Sequence, residues 1–481
     1  MSNEVRRQDF ANVRQSIQSQ LVETGVPSLA VAVAQNGEIV WETAFGWANR
    51  EQQVAATPHT LYSLASISKP ITATGLMVLV ERGLIDLDRP INDYLGNAKL
   101  KAWSGDAKDA TVRRVANHTS GLPLHYHFFY EDEPYVRPPM DETIRRYGNL
   151  VTPPGETYQY ANLGYGLLDY VISRVSGIGY ADFMRQEVFI PLNMPHASVD
   201  VGPGLEEQQA IRYTPDGRSI PFYDFDHPGA SAVYCSAHDL VRFGMFHLHA
   251  HLPDQKTVLS DTAIEEMQRP TFQSGLGSGY GIGWRVYSDG NGNRIVSHTG
   301  GMGGVNTILA LLPAQRAAIA ALANTQTELH VHALEEILAA FPPEYARIMA
   351  DRDAEQKRLA EEASRSNYEP LAELLGVWRG KVHTYAGEIA FTLHFQTDGD
   401  IHVRLGEGLW TLLNYARFED NTLTGRTHGD IGTDDAGKRP YHIHVKLRLR
   451  GKVLNGAVTA ISLPGKRDGN ALSHWAELRK A

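Results

Sequence analysis

The sequence predicts an α/β (α+β) domain built on one antiparallel sheet flanked by helices, with a helical subdomain, followed by a separate all-β barrel-like domain. Three observations predict it. Strand signals stand at both ends of residues 1–342 and enclose a helical, loop-rich middle, so chain-distant strands must pair in one helix-covered sheet. Beyond residue 370 the pattern changes to short period-two runs separated by Gly and Asp turns. The chain of 481 residues is also too long for one ordinary domain. The expected division is 1–342 for the first domain, 343–369 for a helical linker and 370–481 for the barrel.

Residues 8–23 have the pattern of an amphipathic helix. The stretch "LAVAVAQNGEIVWETAFGWAN" is a hairpin turning at Asn36-Gly37, a pair suited to the left-handed turn between two strands. From "LYSLASISKP" the pattern turns helical through "TATGLMVLVERG", with Gly83 placed to end the helix. Residues 100–280 mix helices with long loops rich in Gly, Pro, His and aromatics. Strand patterns return in "RIVSHTGGMGGVNTILALLP" and "RAAIAALAN", followed by the helix "HVHALEEILAAF". Residues 343–366, charged and Ala-rich, suit an exposed helical connector. The runs "EIAFTLHFQ", "DIHVRLG", "HIHVKLRLR" and "VLNGAVTAI" then alternate as half-buried strands do.

A hydrophobic fraction of 42% and a charged fraction of 21% are those of a globular protein. The net charge of −10 argues against broad nucleic-acid or anionic-membrane binding, which needs a basic excess. A single cysteine, Cys235, excludes an intrachain disulfide. The polar N-terminus lacks the apolar core of a signal peptide, and no run long enough to span a bilayer occurs, so a cytoplasmic protein is expected.

Three stretches could carry chemistry. Ser66 and Lys69 are almost one helical turn apart and so share a face. A lysine in an apolar pocket loses basicity and can serve as the base that activates a serine, while a serine opening a helix offers an unpaired N–H to an oxyanion. Pro70 costs little in that first turn. "PPGETYQYANLGYGLLDYV" contains Tyr160-x-Asn162, a phenol that could relay a proton and an amide that could grip either a substrate carbonyl or the lysine. Tyr147-x-Asn149 has the same spacing; the Pro-Gly turn before Tyr160 and the helix after it favour the later pair. In "SHTGGMGGVNT", the glycines after His298-Thr299 let a substrate backbone approach a strand edge, and the N–H of Gly301 could be a second oxyanion donor.

In this order, Ser66-x-x-Lys69, Tyr160-x-Asn162 and His298-Thr299-Gly300 resemble the three motifs of the serine β-lactamase and penicillin-binding-protein superfamily. The match is to the branch of class C β-lactamases, D-Ala-D-Ala carboxypeptidases, D-aminopeptidases and related esterases, supported by "NHTSGLP", "PLNM", "SAHDLVRF" and "GYGIGW". The resemblance covers residues 10–340 and implies an acyl-enzyme on Ser66. Lys69 would be its base and Tyr160 the proton relay to the leaving group. The amides of Ser66 and Gly301 would hold the oxyanion, and Asn162, His298, Thr299 and Gly300 would bind substrate. β-Lactamases of this branch carry lysine where His298 stands, so the resemblance points to peptidases and esterases acting on D-amino-acid peptides, amides or short esters. A β-lactamase is the first alternative, and a sensor that acylates without turnover the second.

No cofactor is implied. The partner expected is a small-molecule or short-peptide substrate, with no nucleic acid or membrane and with a homo-oligomer left open. "GVWRG" resembles the opening of lipocalin-like barrels, which in some relatives cover the active site; lid and appendage stay open. The histidines of "LHYHFFY" and "HIHV" could pair as ligands, but neither stretch shows a third, so no metal site is assigned. The aromatics of 126–130 are expected to wall the substrate cleft.

Overall fold

Helix α1 (Ala11–Thr24) closes on Gly25, whose φ of 68° supplies a left-handed cap. The computed structural model describes residues 10–202, 204–274, 278–363, 368–463, 465 and 467–481, so the expected start of this helix at residue 8 lies outside the described residues. Strands β1 (Ser28–Gln35) and β2 (Glu38–Asn49) form the expected hairpin, with Asn36 at φ 53° and Gly37 at φ 86° in the turn. Strand β3 (Val54–Ala55) adds an edge to β2. Six more strands come from the far end of the domain: β4 (Phe272–Ser274), β5 (Ser278–Tyr280), β6 (Arg285–Ser288), β7 (Arg294–Met302), β8 (Val305–Leu312) and β9 (Ala317–Ala323). They join the hairpin in the order β4-β5-β6-β7-β8-β9-β1-β2-β3, every pair antiparallel.

Every residue of β1 and β9 is buried, because both faces of the sheet are covered. Strand alternation sends Leu29, Val31 and Val33 to one layer, against α1 and α5 (Leu329–Leu338). It sends Ala30, Ala32 and Ala34 to the other, where α2 (Ser68–Glu81), α3 (Asn162–Ser176) and α4 (Ala237–Phe246) pack. Small alanines on that second face let α4 come close to the sheet. The candidate site lies in this layer, between α2, α3 and the edge of β7.

Helix α6 (Pro343–Ala363) corrects one expectation. Its first turns are not an exposed connector, since Tyr345, Ile348 and Met349 are buried in the same apolar layer as α1 and α5. Only the later turns are solvated, and residues 364–366 lie outside the described residues.

The second domain is a nine-stranded antiparallel sheet of β10 (Gly376–Thr384), β11 (Gly387–Phe395), β12 (Ile401–Leu405), β13 (Thr411–Leu412), β14 (Asn414–Glu419), β15 (Thr422–Thr427), β16 (Tyr441–Arg450), β17 (Val453–Ser462) and β18 (Ala471–Lys480). The order β13-β12-β11-β10-β18-β17-β16-β15-β14 brings the two ends together, and Thr411 Oγ1 meets Thr427 Oγ1 at 2.7 Å across the seam, so the barrel is nearly closed. Its interior takes alternate residues, among them Phe391, Leu393, Val403, Ile443, Val445 and Trp378, whose indole N–H donates to Leu374 O at 2.8 Å.

The barrel docks on the loops that surround α3. Trp475 stacks on Trp103 with centroids 6.1 Å apart, Ser473 Oγ donates to Leu124 O at 2.6 Å, and Tyr126 bridges Ala471. Asp468 accepts the N–H of Gly303 at the tip of the β7–β8 hairpin. The aromatics of 126–130 therefore do not wall a cleft. Phe128–Tyr130 form a buried strand against Tyr223–Phe225, and Tyr130 donates to Asp468 O at 3.2 Å, so these rings belong to the seam between the domains.

Candidate active site

Ser66 lies on a single 3-10 turn, Ala65–Ile67, that leads directly into α2. The preceding residue, Ala65, has φ 48°, a left-handed conformation that costs a side-chain-bearing residue about 1 kcal/mol. The turn is held from both sides: Leu64 N–H donates to Val233 O at 2.8 Å, and Leu64 O accepts from Thr307 Oγ1 at 2.9 Å. Ser66 stays half-exposed while Ala65 and Ile67 are buried.

Lys69 follows on the same face, with no exposed surface. Its Nζ lies 3.1 Å from Ser66 Oγ, 2.8 Å from Asn162 Oδ1 and 3.2 Å from Ala230 O, and no carboxylate is among these partners. Burial and the nearby Arg285 guanidinium hold its pKa well below the ordinary lysine value. Pro70, in the first turn of α2, displaces no interior helix bond.

Asn162 opens α3, and Tyr160 sits two residues earlier with its phenol facing Ser66. The Lys69 amine lies 4.6 Å from the Tyr160 ring centroid. Burial raises the Tyr160 pKa, and the hydrogen bond to Ser66 offsets only part of that rise, so the phenol keeps its proton. The rival pair is elsewhere: Tyr147 bonds to Asp435 of the barrel, and Asn149 accepts from the Trp103 indole at 2.9 Å.

The His298-Thr299-Gly300-Gly301 segment is the end of β7, where it passes the Ser66 turn. A methyl group on Gly300 would stand 2.0 Å from Leu64 O and 2.3 Å from Thr307 Oγ1, so only glycine lets this strand meet the turn. Gly300→Ala is expected to destabilise the fold by about 3 kcal/mol and to pull the two apart. A thermal melt together with acylation of the variant checks this. Thr299, Gly300 and Gly301 edge a cavity of 290 Å³ whose far wall is Arg352 and Gln356 of α6.

His298 itself is turned inward, about 1% exposed. Its Nδ1 lies 2.8 Å from Thr299 O and its Nε2 3.0 Å from Tyr280 Oη, so Nδ1–H donates to the carbonyl and Nε2 accepts from the phenol. Burial, then Arg285 and Lys69, push its pKa well below the usual histidine value. The ring at this position is neutral.

Two residues that were not singled out in the sequence complete the cluster. His118, within "NHTSGLP", accepts the Ala161 N–H on Nδ1 at 3.2 Å and packs its ring 4.4 Å from Tyr160 and 4.7 Å from Tyr280, bracing the Tyr160 loop. Its left-handed φ of 64° leaves no sequence signature. Arg285 opens β6 and pairs with Ser297, next to His298. Its guanidinium lies 5.6 Å from the Tyr160 ring and 5.7 Å from the Tyr280 ring, with no carboxylate partner among the described residues. It follows the quoted "GYGIGW" directly, but nothing in that spacing says that its side chain turns toward the serine.

A larger groove of 890 Å³ runs from Tyr158 and Glu156, on the loop before Tyr160, past Leu359 of α6 to Lys446 and Arg448 of the barrel. Glu156 is clasped by Arg448 at 2.6 Å and Arg450 at 2.7 Å, which ties that loop to β16.

The fold is that of the serine hydrolases of the β-lactamase type, and residues 13–341 match the family described as Beta-lactamase. The chain belongs to that family, within the serine β-lactamase and penicillin-binding-protein superfamily of enzymes that act on amide and ester bonds. It is similar to Penicillin-binding protein 4* of Bacillus subtilis (strain 168), 27% identical over 365 residues that make up 69% of this chain and 75% of that one. It is also similar to Protein flp of Staphylococcus aureus (strain MRSA252), 24% identical over 65% of this chain, and it spans 62% of the length of that relative. Among solved structures, the octameric penicillin-binding protein homologue from Pyrococcus abyssi shares the fold over 98% of this chain and 100% of its own, with a TM-score of 0.60 and 22% identity. A class C beta-lactamase shares it over 70% of this chain and 97% of its own, also with a TM-score of 0.60 and 22% identity. Among the described residues no helix is long and apolar enough to cross a membrane.

Proposed function

We propose that this protein hydrolyses amide or ester bonds of small substrates, D-amino-acid peptides, amides or short esters, through an acyl-enzyme on Ser66. The observation that carries the reading is the set of partners around Lys69. A neutral amine has two N–H groups and one lone pair. Asn162 Oδ1 and Ala230 O can only accept, so they take the two hydrogens, and the lone pair is left to receive the Ser66 hydroxyl proton. Lys69 is thus the base, and Tyr160, still protonated, is the group that delivers a proton to the departing amine or alcohol. In this reading the amides of Ser66 and Gly301 hold the oxyanion, Asn162 orients the lysine, and the Thr299-Gly300-Gly301 edge receives the substrate backbone.

The positive charge offered to substrate is Arg285 and not His298, which is neutral. That favours substrates carrying a carboxylate near the reacting carbonyl, a feature that D-alanyl peptides and β-lactams share; β-lactams are placed second only because a histidine stands at position 298 where β-lactamases of this branch carry lysine. With Arg285→Gln, kcat/KM for a D-alanyl peptide with a free carboxylate should fall about 10- to 100-fold, while a neutral p-nitrophenyl ester changes little. Equal losses on both substrates would deny the arginine this role. The barrel-walled groove before Tyr160 supports a limit on substrate size, and the octameric relative supports a homo-oligomer.

Mass spectrometry after exposure to a fluorophosphonate or a penicillin tests the acyl-enzyme, with the adduct expected on the peptide containing Ser66. Parallel assays with nitrocefin, a D-alanyl amide and a p-nitrophenyl ester rank the substrate classes. An adduct on another serine would end the reading, and an adduct that never turns over with any of the three would replace hydrolysis by sensing.

A further inference from the structure

Among the described residues, neither histidine pair noted in the sequence comes together with a third ligand. His125 is bonded to Asp226 at 2.6 Å, His127 packs on Phe129, and His442 and His444 face each other on β16 as a pair. A third group, two histidines with a glutamate, comes together from parts of the chain far apart in sequence. Glu42 comes from β2, His59 from the loop that leads to Ser66, and His238 from the first turn of α4. One donor atom of each lies within 4.8 Å of the others. The ring of His196, from the turn before the strand Ala197–Val199, stands 5.2 Å from that of His59.

We infer that Glu42, His59 and His238 form a binding site for a divalent transition metal such as Zn²⁺, with His196 beside it as a fourth donor within reach. The backbone presents the set in advance. His238 N–H donates to Pro58 O at 3.1 Å, which pins the residue before His59 against α4. Ser236 N–H donates to His196 O at 3.0 Å, and His196 N–H donates to Asp239 Oδ2 at 2.6 Å, so the third imidazole is anchored to the same helical turn. Glu42 Oε2 already lies 2.8 Å from His238 Nδ1, and the His59 and His238 centroids are 4.5 Å apart.

Rotations about the side-chain torsions of exposed His59 and half-exposed His238 would bring the donors to the ~2.0–2.2 Å metal distances of a tetrahedral site, with water or His196 completing it. Imidazoles with one carboxylate select Zn²⁺, Ni²⁺ or Cu²⁺ over Mg²⁺ and Ca²⁺, which want oxygen donors. Bound metal would tie β2, the segment entering Ser66 and α4 together. The site shares no ligand with the Ser66 cluster, so it acts as a clamp on the fold and takes no part in acyl transfer.

The test uses the full chain, stripped with a chelator and titrated with Zn²⁺ by calorimetry, then with Co²⁺ followed by visible absorption. About one equivalent should bind, the Co²⁺ spectrum should show nitrogen and oxygen ligation without a thiolate band, and Zn²⁺ should raise Tm. His59→Ala and the double variant His59→Ala/His238→Ala should weaken binding by more than the roughly 10-fold that loss of even a supporting residue causes. Both should abolish the Zn²⁺-induced rise in Tm while leaving the metal-free melt of the His59→Ala chain unchanged. His442→Ala/His444→Ala should bind as the parent does. No binding, or binding that survives the first two variants or is lost in the barrel variant, would overturn the assignment.

Discussion

Alanine at position 66 will abolish both hydrolysis and covalent labelling, with a fall in kcat on the order of 10⁶-fold for any substrate the parent turns over. The expected size follows from the arrangement around the turn. Ser66 is the half-exposed hydroxyl that faces both the buried Lys69 amine and the Tyr160 phenol, so in the proposed mechanism its removal leaves base and relay with nothing to activate. The substitution deletes one oxygen from a turn held by Leu64, Val233 and Thr307, and the melt should therefore stay near that of the parent. Substrate binding at the β7 edge should persist. A variant that still released product at more than a trace rate would move the nucleophile elsewhere.

Lys69→Met should lower kcat by about 10²- to 10⁴-fold, the range supplied by a well-placed general base. The pH profile is the sharper test. In the proposed mechanism the amine acts in its free form, and burial first and Arg285 second, by holding its pKa well below 10.5, keep that form populated at lower pH than an ordinary lysine allows. The rate should therefore be flat through neutrality and decline on its acid side, whereas an unperturbed lysine would make it climb toward pH 10. Stability has the matching sign. The folded chain keeps Lys69 uncharged while the unfolded chain protonates it, so the cost to folding is full below the folded pKa and vanishes as pH rises through the ordinary value of 10.5. Lys69→Met should remove that slope between the two, which denaturant midpoints at a series of pH values would show. A rate that rises steadily from pH 7 to 10 would make Lys69 a charged residue and remove it as the base.

Much of the architecture could be read from local pattern. The Asn36-Gly37 turn, the alternation along β11 and β12, and the glycines that end α1 and α2 are short-range signals. Each acts within a few residues through backbone sterics or side-chain period. Tyr160 and Tyr147 show the limit, because the same spacing occurs at both, and only the path of α3 brings one of them to Ser66. His118 and Arg285 had no local mark at all. One depends on a single left-handed residue, the other on pairing in β6 that turns a guanidinium toward rings from distant segments. The aromatics of 126–130 were expected at a cleft because large rings suit one, and they lie instead where the barrel covers them.

By itself the sequence determined the two domains, the antiparallel sheet with its hairpin, and the order of a serine, a lysine, a tyrosine and a glycine-rich strand that could work together. Tertiary structure decided how the path of α3 brings Tyr160 to Ser66, that the His298 ring is buried with the Arg285 guanidinium near the Tyr160 ring, that α6 lines the cavity at the β7 edge and the barrel the groove beside Tyr158, and that Glu42, His59 and His238 meet. The division has a physical cause. Turns, caps and strand period are set by torsions and contacts a few residues long, whereas basicity and ligand geometry depend on burial and on the few ångströms separating groups that the chain brings together from hundreds of residues apart.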